Sequence, residues 1–244
     1  MNKKYELTKA LGQAFNSLLE PKKELIGLIL IFTVFSSLLN FSLSIYLTNK
    51  LITTFELQII AIISLLLSLF LYFYYGSCFI SFLYKPKQDL VKILKSGFLI
   101  LPKFLLISFI NFLIIVSPFL ILFLFSLLTQ NLIIITFLLI FSLIVSLVIS
   151  IKLSISPYIY VINKKDIASS ISLSMKSIRG INILKVFVGN LLITLVFLFL
   201  LFPIYLLTFI SNVFEVLIFL VSIVNQYIFI SFFYNSYKLL YKSK

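Results

Sequence analysis

Histidine and tryptophan are absent from this chain of 244 residues, cysteine occurs once, and only seven residues are acidic. Without histidine the chain lacks the usual general base, the usual pH switch and the commonest metal ligand. A single cysteine, Cys78, excludes an intrachain disulfide, and its expected role is that of a small apolar packing residue. Glycine occurs only six times, and no Gly-rich phosphate cradle or Walker lysine motif can be found. Charged residues make up 11% of the chain, against about 25% in an ordinary soluble domain. Apolar residues fill the space, at 62% against roughly 45–50%. That is more apolar surface than one compact core can hide. It excludes an ordinary soluble domain, a disordered chain and a nucleic-acid binder. What is left is a polytopic membrane protein.

The charges divide the chain. Charge-free runs cover 25–49, 57–84, 104–151, 186–214 and 216–237. A helix crossing a ~30 Å hydrocarbon layer needs about 20 apolar residues, so four of these runs suit one span each. The run 104–151 would be about 72 Å long as one helix, twice what a crossing needs. Its polar middle, Thr129-Gln130-Asn131, makes it a hairpin. The spacing therefore predicts six spans, near 26–47, 57–78, 104–127, 132–152, 186–209 and 214–234. Backbone groups in lipid must pair within the segment and no period-2 alternation is present, so the spans are helices.

The formal net charge of +13 is distributed by side. Nineteen of the twenty lysines and arginines fall in the N-terminal segment, in 85–103, in 152–185 or in the C-terminal tail; the remaining one is Lys50. The positive-inside rule then predicts a cell-membrane protein with both termini in the cytoplasm, which requires an even number of spans. No cleaved signal peptide is expected, because an amphipathic stretch follows Lys3 and Lys4 where an apolar signal core would stand. Asn2 excludes myristoylation, and Lys242-Ser243-Lys244 is no prenylation box.

Three stretches, each before an odd-numbered span, share a helical period. Leu7, Leu11, Ala14, Phe15 and Leu18 fall on one face, as do Leu90, Val91, Leu94 and Phe98, and as do Ile167, Ile171, Met175 and Ile178. Each has an acidic residue near its start (Glu6, Asp89, Asp166), which suits the positive end of a helix dipole. Each gives way to a breaker with a cation: Pro21-Lys22, Pro102-Lys103 and Arg179-Gly180. The even spans end alike, with Ile80-Ser81, Ile155-Ser156 and Ile230-Ser231 at intervals of 75 residues. The expected architecture is all-α: one six-span domain over 1–244, in three units of about 1–84, 85–160 and 161–244. Each unit would be an amphipathic in-plane helix followed by a transmembrane hairpin. The apolar faces would lie in the inner headgroup layer. Tyr84, Tyr158, Tyr160, Tyr234, Tyr237 and Tyr241 would form an aromatic belt beside them.

No charge lies near a span centre. Ion-coupled transporters usually carry an intramembrane carboxylate, so its absence argues against that class. Lys152 is the ambiguous cation; should the fourth helix run on towards Tyr160, it would lie about two turns inside and would snorkel to the headgroups. The longest stretch between spans is too short for a catalytic domain, and no nucleophile–base pair is present. An enzyme is not expected, and neither a cofactor nor a bound metal. The intramembrane polar set is Asn40, Asn111, Asn190, Asn225 and Gln226. These side chains either hydrogen-bond between helices or line a polar cavity for a headgroup or small solute. The densest cation group is Lys164, Lys165, Lys176, Arg179 and Lys185, the candidate contact for anionic headgroups.

The run Ile155-Ser156-Pro157, then Asp166-Ile167-Ala168-Ser169-Ser170-Ile171-Ser172-Leu173-Ser174-Met175-Lys176, then Arg179-Gly180, resembles part of the glycerophosphodiester phosphodiesterase membrane domain and its relatives of unknown function. The six-span layout is similar over the whole chain. The hydrolase domain fused to some members is lacking here, so the resemblance implies an integral membrane protein without phosphodiesterase activity. A non-enzymatic, lipid-interacting or membrane-organising protein is the reading that follows. The layout also resembles the permease subunit of ABC-2 type exporters, which would make 85–103 a coupling element for a separate ATPase subunit. The third amphipathic helix is not expected in that family.

Overall fold

A computed structural model of the protein describes residues 6–19, 21–48, 54–126, 131–208 and 214–241. Lys3, Lys4, Glu20, Lys50, Thr129, Gln130, Lys242 and Lys244 lie outside the described residues. Those described are helical, without a strand, and form α1 (Leu7–Leu19), α2 (Lys23–Thr48), α3 (Thr54–Tyr84), α4 (Leu90–Ser126), α5 (Leu132–Leu153), α6 (Ser156–Asn163), α7 (Ile167–Ser177), α8 (Ile181–Thr208) and α9 (Phe214–Leu240). Six stretches are long and apolar enough to cross a membrane: Lys23–Ser42, Gln58–Tyr84, Leu90–Ser126, Leu132–Asn163, Ile181–Thr208 and Phe214–Leu240. The chain is a multi-pass helical membrane protein.

Local chemistry sets the breaks. Pro21 stands between α1 and α2. Gly180, between α7 and α8, has φ +53°, a left-handed conformation that glycine adopts without a Cβ clash. Asn131 caps α5, its side-chain oxygen accepting from the Ile133 and Ile134 amides at 3.0 and 3.4 Å. Asp166 caps α7, accepting from the Ser169 amide at 3.0 Å and its hydroxyl at 2.5 Å. These bonds, the hydroxyl's first, hold the Asp166 carboxyl below its ordinary range. Pro157 has no N–H to give the Leu153 carbonyl, and α5 stops at Leu153. Lys152 sits half-exposed in the last turn of α5, eleven residues before the end of the apolar stretch that continues through α6 to Asn163.

The second amphipathic stretch departs from expectation. Residues 90–98 are not a separate helix ended at Pro102; they are the first turns of α4, which runs through both Pro102 and Pro118. An interrupted helix in lipid would leave several backbone groups unpaired, whereas a proline leaves one carbonyl without its donor. At Pro118 that carbonyl is Ile114's, and the Ser117 hydroxyl donates to it at 2.8 Å.

Packing divides the chain into two compact units. The first comprises residues 1–10, 102–189 and 233–244; the second comprises 11–101 and 190–232. In the first, Ile151, Leu153, Ile155, Ile159, Ile178 and Val186 are buried. Tyr158, Tyr234 and Tyr237 are buried there too, with ring centroids 6.2–6.4 Å apart. These three are therefore core residues and not members of an interfacial belt; Tyr84, at 43% exposed, keeps that role open. The Tyr237 hydroxyl donates to Asn163 at 2.9 Å. In the second unit Phe32 stacks on Tyr75 at 3.9 Å and meets Phe79 edge-on, and Phe79 in turn meets Tyr227. Cys78 is fully buried, as expected of a packing residue. Gly97 lies so close to it that an added Cβ would strike both the sulfur and the backbone of Cys78.

The packed stripe of each amphipathic stretch is rich in small residues and only partly coincides with its apolar stripe, sharing Ala14 in the first and Ile178 in the third. In α1 the buried residues are Ala10 and Ala14, in α4 Ile93, Gly97 and Leu101, and in α7 Ser170, Ser174 and Ile178. Small side chains at four-residue spacing let helices approach closely. In α4 the neighbouring apolar residues Val91 and Phe98 are exposed, at 75% and 62%, whereas Leu11, Phe15, Ile171 and Met175 are half-buried.

Candidate functional site

Two places gather the chemistry. The first is the neighbourhood of α7 in the first unit. α7 packs against α5 and α6, and the Ser174 hydroxyl donates to the Lys152 carbonyl at 2.6 Å. With its serine face turned inward, α7 leaves its cations outside. Lys164 and Lys165 are exposed just before it, and Lys176 and Arg179 are exposed at its end. Lys164 itself is left-handed, with φ 53°, where the chain turns from α6 into α7. The eleven residues of α7 span about 16 Å, so these cations form two groups at its two ends rather than one cluster. Lys176 and Arg179 are at the negative end of the helix dipole; Asp166 offsets the positive end near Lys164 and Lys165. Lys185 is half-buried, the fifth residue of α8.

The second place is an intramembrane cavity of about 450 Å³ in the second unit. α2 contributes Ser36, Leu39 and Asn40, α3 contributes Ser64, Ser68, Leu71, Tyr72 and Tyr75, and α9 contributes Ser222, Asn225, Gln226 and their apolar neighbours. Three of the five polar residues singled out from sequence thus come together. Gln226 donates to the Tyr72 carbonyl at 2.7 Å, and the Ser36 and Tyr75 hydroxyls pair at 3.0 Å. Asn40 donates to Glu215 at 2.8 Å. The side-chain oxygen of Asn225 is buried without a hydrogen-bond partner.

The other two polar residues do different things. Asn111 is buried in the first unit in a two-way pairing with Ser156, donating at 2.8 Å and accepting at 3.2 Å. Asn190 is half-buried in α8, its carbonyl accepting from Thr194 at 3.0 Å, and it does not line the cavity. The residues missed by reading single polar positions are Ser36, Ser64, Ser68, Tyr72, Tyr75 and Ser222. Their signal was spacing inside charge-free runs. Ser64, Ser68, Tyr72 and Tyr75 fall on one helical face, as do Ser222, Asn225 and Gln226, and Ser36 with Asn40.

Among the described residues no group of three His, Cys, Asp or Glu is placed to hold a metal ion. No family model matches the chain, no curated protein matches it, and no solved structure matches it.

Proposed function

We propose that the chain is a non-enzymatic membrane protein of the cell membrane, with both termini cytoplasmic, whose inner surface holds anionic lipid. The observation that carries this reading is the outward display of Lys164, Lys165, Lys176 and Arg179 around a helix whose inward face is serine. A cation near an anionic membrane surface is worth about 1 kcal/mol, so these four suffice to enrich anionic lipid severalfold. The three-unit plan belongs to the same reading. It is supported by the recurrent small-residue packing at Ala10 and Ala14, at Gly97, and at Ser170 and Ser174, and by the burial of Ser81, Ser156 and Ser231 at one interval.

The test is the double substitution Lys176→Gln with Arg179→Gln. Seventeen of the remaining eighteen cations would still lie on the side expected to be cytoplasmic, so orientation should hold. The variant should co-purify with severalfold less phosphatidylglycerol than wild type; equal lipid content would leave these cations with a topological role only. The separate helix α1 before the first span favours a second reading, an exporter permease subunit, although α7 has no place in that plan. Co-purification of an ATPase would decide for it.

A further inference from the structure

We propose that the cavity of the second unit binds a neutral polyhydroxylated group, namely the sugar headgroup of a glycolipid or a free sugar. The site is separate from the cations around α7 and does not depend on their role. Its volume, about 450 Å³, lies within the roughly 300–1,000 Å³ of small-molecule sites. An apolar void of that size would stay dry, but this one carries serine, asparagine, glutamine and tyrosine groups from three helices. Serine and tyrosine hydroxyls and side-chain amides both donate and accept, as sugar hydroxyls do. Tyr72 and Tyr75 add aromatic faces for the C–H side of a sugar ring, and Tyr72 is 56% exposed at the edge of the cavity.

The charge pattern narrows the ligand. Among the described residues no lysine or arginine lines the cavity, and a carboxylate, Glu215, is bound to its wall by Asn40. A phosphate or carboxylate placed there would be desolvated without a counter-charge and would face that carboxylate. The oxygen of Asn225 calls instead for a neutral donor, because a buried acceptor left unpaired is costly. A hydroxyl supplies it. Entry from the bilayer suits the position of the lining residues within three of the apolar helices long enough to cross it.

Native mass spectrometry of the full chain, with monoglucosyl diacylglycerol, phosphatidylglycerol and phosphatidylcholine of matched acyl chains, tests the proposal. The glucosyl lipid should bind saturably, one per chain. Two hydrogen bonds of ordinary intramembrane strength give it a preference of roughly tenfold over the other two. Equal or tighter binding of either phospholipid overturns the proposal. Asn225→Leu with Ser68→Leu fills the cavity and should remove the preference; Ser222→Leu, a smaller change, should weaken it. Ser150→Leu, an exposed position in the first unit, should leave it intact. A preference that survives the filled cavity, or that is lost equally in Ser150→Leu, overturns the assignment. Displacement of the lipid by millimolar glucose identifies a free sugar as the ligand, and lack of displacement identifies the glycolipid.

Discussion

Asn111 and Asn225 are the same residue in the same kind of helix, yet they are treated in opposite ways. Asn111 is closed: it gives a hydrogen bond to Ser156, receives one back, and leaves no gap. Asn225 is open: its oxygen is buried beside empty space with nothing to accept from. A polar group inside a membrane protein that has found a protein partner is cement. One that has not is held in reserve for something that arrives later, because only a ligand or a water can complete it. The first unit spends Asn111 on packing, and the second keeps Asn225 on a wall.

The largest effect should come from breaking tight packing inside the second unit. Gly97→Ala drives a Cβ into Cys78. Even after about 1 kcal/mol of regained helix propensity, a net loss of about 1–2 kcal/mol is expected in a detergent-denaturation titration. Next comes the closed asparagine. Asn111→Leu orphans Ser156 and should cost about 1 kcal/mol in the same titration. Asn225→Leu breaks no bond to the protein and should change stability by less than about 0.5 kcal/mol in either direction. If the two asparagine variants lost equal stability, the distinction between closed and open sites would collapse.

The smallest effect concerns Asp166, whose carboxylate is held by Ser169. Its folded pKa lies below the ordinary 3.8, so the cap's contribution is complete above that value and fades as pH falls through the lowered folded one. Hydrogen exchange corrected for intrinsic rates should show steady protection of the Ile167–Ser177 amides from pH 7 to pH 5. Asp166→Ala should weaken that protection at all these pH values and remove its decline in stronger acid.

Charge cutting read the number of spans from the sequence, because lysine and aspartate seldom enter the hydrocarbon layer, but it started the third about fourteen residues late and ended the fourth about eleven early. The acidic start at Asp166 and the polar turn at Asn131 were equally readable, since each acts on its own neighbours, whereas the end of α5 at Leu153 was left open. Pro102 misled because a proline removes one helical hydrogen bond without having to end the helix, and α4 runs on through it. The small residues that pack the amphipathic stretches drew no notice beside their apolar faces. Hydrophobicity marks the side that meets lipid, while small size marks the side that meets another helix, as Ala14, Gly97 and Ser174 show. The tyrosines at 158, 234 and 237 carried no mark that separates a core ring from an interfacial one. The cavity needed three helices at once, and periodicity within one run shows a polar stripe without showing what stands opposite.

The uninterrupted α4 has one more consequence. Its 37 residues extend about 55 Å, but its charge-free part, 104–126, extends only about 34 Å. Lys103 therefore marks a fixed depth on a rod that continues well beyond the hydrocarbon. In a bilayer thinner than that apolar length the rod must lean; in a thicker one the lipid around it must compress. The charge-free part of α8, 186–208, has the same length, so both helices match a hydrocarbon layer of about 34 Å.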